Sequence, residues 1–287
     1  MLPEGYKIRK MTRSELDVAV DWAAKEGWNP GLHDAGAFWD TDPEGFVALE
    51  KDGEMIGSGS IVSYDGNFGF MGFFIVKPEY RSKKLGTELW FYRRDALLKR
   101  LNKHAAIGMD GVFNMQPFYT RGGFKFSHRD LRMESTARVE QYDDSRVTRI
   151  DPKDLNLIAE FDKKHFGFDR KNFLKGWVFM EDSQAFKYTE GKEIKGCGVV
   201  RKCRKGYKIG PLFASDYSVA HELFKALSTY ANGDLIYLDV PEANLDAMRL
   251  AEYYGMKEMF GCAKMYYGEA PKLPYKQIFG VTTFELG

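Results

Sequence analysis

Cysteine is scarce in this chain. Cys197, Cys203 and Cys262 are the only three in 287 residues, an odd set without a C-x-x-C pair, which excludes a disulfide-stapled scaffold and a zinc ribbon. The five histidines miss the H-x-x-x-H spacing that sets two imidazoles on one helix face, so no metal centre is expected. No apolar run approaches the ~20 residues of a membrane-spanning helix. The opening Met1-Leu2-Pro3-Glu4-Gly5-Tyr6 also lacks the basic-then-apolar layout of an export signal. A cytoplasmic protein without a membrane partner is the expectation. Excess charge is missing too: 42 Lys and Arg face 41 Asp and Glu, not the strongly basic balance of a dedicated nucleic-acid binder.

What is present is a globular composition, 44% hydrophobic and 29% charged, long enough for two domains of roughly 150 residues each. Thr12-Arg13-Ser14-Glu15 is a capping box ahead of Leu16, Val20 and Ala23 at helical spacing. Strands are expected at 45–50, 55–64 and 68–76, separated by Lys51-Asp52-Gly53 and Asp65-Gly66-Asn67. Past Pro78 and a polar loop, Leu85, Leu89, Tyr92, Ala96, Leu97 and Leu101 mark the apolar face of a long helix. Strands at 105–109 and 124–133 then flank a short helix near 114–121. Polar residues 138–145 read as a linker. The same order of elements follows it, with terminal strand-like pieces at 257–267 and 277–286 that should close a second sheet. The fold class is α/β (an α+β mixed sheet), with domains 1–137 and 146–287 related by duplication.

The stretch from Phe73 to Thr87 is the most informative: a strand, Pro78, a basic turn with Arg81, Lys83 and Lys84, and then the long helix. Such a turn offers unpaired amide groups and the positive end of a helix dipole to a pyrophosphate. It reads equally as a solvated turn with three exposed cations, since no G-x-x-x-x-G-K-S/T or G-x-G-x-x-G pattern is present.

These residues resemble the GNAT acyl-CoA N-acyltransferases, in which the corresponding helix is entered through V-x-P-x-Y/W-R/Q-G-x-G-x-G. Val76, Pro78, Tyr80, Arg81 and Gly86 match, while Ser82 and Lys84 replace two of the glycines. Phe118-Tyr119-Thr120-Arg121-Gly122-Gly123-Phe124 is similar to a second family signature, L/F-Y-x-x-x-G-F. The resemblance implies two tandem GNAT-like domains and acetyl-CoA as co-substrate. It places the cofactor against Phe74, Ile75, Val76, Arg81, Ser82, Lys83, Lys84, Leu85, Gly86, Thr87 and Asn114. It also implies direct attack by the amine of a small molecule, an oxyanion held by amides near Phe74 and Ile75, and Tyr119 as proton donor to sulfur. The strand 68–76 carries no Asp or Glu, so Asp110 is the nearest carboxylate for a base; it reads equally as a turn residue before Gly111, and a water chain is an alternative.

In the second half Ile209-Gly210-Pro211-Leu212-Phe213-Ala214-Ser215-Asp216 stands at the place of the pyrophosphate turn without Lys or Arg, and Ala251 falls opposite Tyr119. The second domain is therefore expected to be a degenerate copy that packs against the first. Trp28, Asn29, His33 and Asp34 lie between elements that line the acceptor side in the family; each is either a substrate contact or a loop anchor. Asp239 reads as a turn or interface residue, and the basic cluster 201–208 as a hairpin tip. An N-acetyltransferase acting on a small primary amine is the leading expectation. The alternatives are a catalytically weak acyl-CoA-binding or regulatory protein and a peptide acceptor.

Overall fold

The structure, a computed structural model, describes residues 2–81, 83–140, 142 and 144–287. The first half runs β1 (Tyr6–Lys10), α1 (Arg13–Lys25), α2 (Asp34–Thr41), β2 (Phe46–Lys51), β3 (Glu54–Ser60), β4 (Val62–Tyr64), β5 (Phe68–Phe70), β6 (Ile75–Val76), α3 (Leu85–Arg100), β7 (Ala106–Val112), α4 (Gln116–Arg121) and β8 (Lys125–Thr136). The second repeats it as β9 (Val147–Arg149), α5 (Leu155–Phe166), α6 (Lys171–Val178), β10 (Ser183–Glu190), β11 (Glu193–Lys202), β12 (Tyr207–Ala214), α7 (Tyr217–Tyr230), β13 (Leu235–Pro241), α8 (Leu245–Tyr253) and β14 (Lys257–Tyr267), with β15 (Ile278–Gly280) added. The capping box forms as the sequence suggests: the Thr12 hydroxyl accepts from the Glu15 amide, and the Glu15 carboxylate accepts from the Thr12 amide.

The terminal strands do not close a sheet of their own. β14 lies between β7 and β8 of the first half, with Lys264 opposite both Asp110 and His128. β8 in turn pairs over residues 130–136 with β13, Leu131 opposite Val240. Each half thus gives its last strand to the other, and one long sheet runs through both. The run Gly261–Tyr266 is buried without interruption, as a strand covered on both faces and flanked on both edges must be. Alternation in a sequence sets which face a residue takes, but leaves the partner strand open, so this exchange is not legible in the pattern.

The expected strands 55–64 and 68–76 are each broken. β1-β2-β3-β6 form a separate four-stranded sheet, while β4 and β5 join the long one. The break falls at Met71–Phe74, where Phe73 takes a left-handed φ of 51° and Gly72 admits close contact, since a Cβ there would lie 2.1 Å from the Glu285 carbonyl oxygen. Between the halves, α2 packs on α6: Phe38 and Trp177 are fully buried and stack at 5.9 Å. The two halves share this core. No helix among the described residues is long and apolar enough to cross a membrane.

Candidate active site

A cavity of about 880 Å³ opens where the first half's strands part. β5 pairs with β7 in parallel up to Phe70 opposite Gly108; beyond that point β6 turns to β3, with Ile75 opposite Ser58. The break at Met71–Phe74 therefore leaves a cleft between β6 and β7. Phe74, Ile75 and Val76 wall one side and Met109, Asp110 and Val112 the other.

At the mouth stands the N-terminus of α3. Lys84 precedes the helix at φ 60° and supplies no side-chain cap, so the first-turn amides keep their positive field. Lys84, Gly86 and Thr87 line the cavity. Arg81 also lines it, tied by Nε to the Val76 carbonyl at 2.8 Å and by its guanidinium to Glu26.

At the inner end Tyr119 is 4% exposed and packs 4.9 Å from the Trp90 ring. It also lines the cavity. Burial raises its pKa above the ordinary phenol value, and Arg93 draws it only part of the way back. The hydroxyl therefore holds its proton through neutral pH.

Arg93 was not singled out in the sequence. It is fully buried and donates through Nη2 to the carbonyls of Ser60 at 2.8 Å and Gly72 at 2.6 Å, while Nε and Nη1 have no hydrogen-bond partner among the described residues. Gly59 makes its room, since a Cβ there would lie 2.2 Å from Nε. A signal existed: Arg93 stands four residues from both Leu89 and Leu97, on the buried line of α3. A charge at such a position asks for a partner.

Asp110, on β7, pairs through Oδ2 with Lys264 Nζ at 2.8 Å, while Oδ1 is buried with no hydrogen-bond partner among the described residues. Burial raises its pKa well above the carboxylate range, against the pull of Lys264. The second half closes this end with Phe260, Gly261, Cys262, Phe284 and Glu285.

Two family models match the chain. Residues 11–124 match the Acetyltransferase (GNAT) family and residues 158–280 an Acetyltransferase (GNAT) domain. The chain is a tandem GNAT-type acyltransferase. A curated relative, holothin acyltransferase of Pseudoalteromonas sp. (strain SANK 73390), is 28% identical over 285 residues, 99% of this chain and 95% of that protein. A Pyrococcus horikoshii structure, provisionally named an acetyltransferase, superposes with a TM-score of 0.83 at 22% identity over 100% of this chain and 98% of the other. A tandem GNAT protein from the clavulanic acid biosynthesis pathway gives 0.63 at 10% identity over 93% and 99%. At such identities the solved structures speak for the fold alone.

Of the residues singled out in this GNAT chain, Phe74, Ile75, Val76, Arg81, Lys84, Gly86, Thr87, Asp110, Asn114, Tyr119 and Trp28 line the one cavity. Ser82 lies outside the described residues. Lys83 is turned to the surface, 5.2 Å over the Tyr80 ring, and Leu85 is buried in the core beneath the turn. Asn29, His33 and Asp34 do not line the cavity but fasten their loop to the second half. Asn29 exchanges two 2.9 Å hydrogen bonds with the Lys205 backbone. Asp34, fully buried, pairs with Arg201 at 2.9 Å. His33 lies 3.0 Å from Asp182, and with Glu181 these groups set three ligand atoms within 4.8 Å on an exposed face. Arg132 completes the clamp, donating to the Trp28 carbonyl at 2.6 Å and to both Asp239 oxygens at 2.7 Å.

The corresponding place in the second half differs. Asp216 caps α7, its carboxylate accepting from the Val219 amide at 3.1 Å. Where β12 and β13 part, the chain's own β15 enters: it pairs with β12 through Gly280 opposite Leu212, and the Val281 amide donates to the Asp239 carbonyl at 2.8 Å. The fit there is close enough that a Cβ on Gly210 would lie 2.4 Å from the Thr282 carbonyl oxygen.

Proposed function

We propose that the first half binds acetyl-CoA and transfers its acetyl group to the primary amine of a small molecule by direct attack, and that the second half is a degenerate copy without a cofactor site. The observation that carries the reading is one cavity joining the uncapped, basic start of α3 to the buried Tyr119.

The residues fit the cofactor. Lys84 and the amides of Gly86 and Thr87 meet the diphosphate at the helix end. Asn114 stands beside the pantetheine arm, and the amides near Phe74 and Ile75 receive the negative charge that develops on the carbonyl oxygen. Asp110 takes the proton of the acceptor ammonium on its Oδ1, which has no hydrogen-bond partner among the described residues. Tyr119 gives its proton to sulfur as the C–S bond breaks, and Arg93, which lines the same cavity, steadies the negative charge there. A small-molecule acceptor accords with a cavity closed by Phe260 and Phe284 of the second half, and with a relative whose name assigns it holothin as acceptor.

In the second half, Asp216 puts a negative charge where a phosphate would sit, and residues 278–282 fill the gap between β12 and β13. The test is thiol release from acetyl-CoA across a panel of primary amines. Amine-dependent release that is lost in Tyr119→Phe is expected; release no faster than hydrolysis with every amine would overturn the reading.

A further inference from the structure

The exchanged strand β14 gathers a row of buried ionisable groups behind the cavity wall. Lys264 lies opposite Asp110 on β7 and His128 on β8, and Cys262 lies opposite Asp130 on β8. Lys264 Nζ is 2.8 Å from Asp110 Oδ2 and 3.9 Å from Asp130 Oδ2. Asp130 is fully buried, and its Oδ1 lies 3.3 Å from His128 Nε2. Of the two carboxylates, Asp110 lines the cavity and Asp130 stands behind it.

Charge does not balance in this row. Among the described residues the two carboxylates have no ion-pair partners besides Lys264 and His128. Arg132, two residues beyond Asp130, is engaged with Asp239 at 2.7 Å, and Glu242, beside His128, is paired with Arg129. Burial pushes Cys262 and Tyr266, the flanking inward residues of β14, well above their ordinary values, so both stay neutral. Tyr275 stands edge-on to His128 at 4.7 Å, and the Lys264 ammonium lies 5.0 Å over the Phe70 ring. Asp110 Oδ1 and both oxygens of Asp130 are buried with no hydrogen-bond partner among the described residues. A single proton held between the two carboxyl groups would supply the missing donor and cancel the excess negative charge. Burial raises the Asp110 carboxyl, Lys264 pulls it down, and Asp130 raises it again through its charge and as a direct side-chain partner.

We propose that Asp130 is a positioning residue for the reaction, forming with Asp110 and Lys264 a carboxylate pair that takes up one proton as a unit. The inference rests on the acyltransferase reading and deepens it. With both carboxylates ionised, the row carries one negative charge more than Lys264 offsets. An N–H bond of the acceptor ammonium breaks, the proton moves to Asp110 Oδ1, where Asp130 shares it, and the nitrogen keeps the electron pair with which it attacks. The row is then neutral. The proton returns to water through the cavity when the product leaves. Asp130 does not touch the acceptor and acts through Asp110. Lys264 comes from the second half, so the exchange of β14 assembles the base.

The test is a carbon-13 NMR titration of the full chain, labelled at the aspartate carboxyl carbons, with no ligand added. In the wild type the carbons of Asp110 and Asp130 should respond together, in a step at least about two pH units above the ordinary aspartate value near 4. In Asp130→Asn the Asp110 step should fall by at least about one pH unit, because a single carboxylate already balances Lys264. The acid limb of the kcat/KM profile should move down by the same amount. Lost packing alone would lower the rate or the stability without moving that limb. Independent titration of the two carbons, or an Asp110 step that stays in place in Asp130→Asn, overturns the proposal. So does a His128 imidazolium at about pH 8 beside two ionised carboxylates, or a kcat/KM limb that stays while the carboxyl step moves. The wild-type titration stands even where the variant fails to fold. A joint step in a protein that turns over no amine would strike the acyltransferase reading and leave the shared proton in place.

Discussion

The two halves repeat one order of elements, yet they treat the same two features in opposite ways. In the first, α3 begins at a lysine with no side-chain cap, and the strands that part beyond Phe70 leave a cavity. In the second, α7 is capped by its own carboxylate, Asp216, and the parting strands are filled by β15. An anion site and a self-capped helix are alternative uses of the same unpaired amides. The difference lies in two local features: the first half leaves a helix start and a cleft open, and the second closes both with Asp216 and β15. The second half supplies part of the cavity wall, and its Lys208 donates to the carbonyls of Trp28 and Asn29.

The largest effect that sharpens this contrast concerns chemistry. Tyr119→Phe should lower kcat by roughly 10²-fold or more, the usual worth of a positioned acid, while calorimetry finds the acetyl-CoA affinity unchanged. Next comes the shared core: Trp177→Ala should destabilise the protein by about 3–5 kcal/mol and lower the midpoint of one joint thermal transition, because the exchanged strands link the halves. Two separate transitions would argue that the halves fold alone. At the paired helix starts, Lys84→Asn should weaken acetyl-CoA severalfold and flatten its salt dependence. Asp216→Ala should leave that affinity untouched and cost about 1 kcal/mol of stability through the lost cap. A gain of cofactor binding in Asp216→Ala would break the comparison.

A pH effect follows from Tyr119. Its pKa is raised by burial above the ordinary value near 10, so the proton donor persists as pH rises. The rate should therefore show no alkaline decline from its loss between pH 8 and 10. A kcat profile falling near pH 8, and flat in Tyr119→Phe, would contradict the assignment.

What was legible in the sequence was local. Phe74, Ile75, Val76, Arg81, Lys84, Gly86, Thr87, Asn114 and Tyr119 fall in two short stretches of sequence on a strand, a turn and helix starts, and they line one cleft. Arg93 was legible in principle, as a charge between Leu89 and Leu97 on a buried helix line, but a lone arginine in a charged helix reads as surface. Glu285, Phe260 and Cys262 reach the first half only because β14 crosses to it and the following segment returns along Gly72. That exchange leaves no mark in the periodicity. Asn29 and Asp34 read as either contacts or anchors until Lys205 and Arg201, more than 160 positions away, came to meet them.

The central claim is that one chain holds one acyl-CoA, at the first half. The most direct measurement is the stoichiometry of acetyl-CoA binding by calorimetry on the full chain, repeated with Lys84→Asn. The account predicts one molecule per chain and a single isotherm that weakens in the variant; two molecules per chain, or one whose affinity ignores Lys84→Asn, would contradict it.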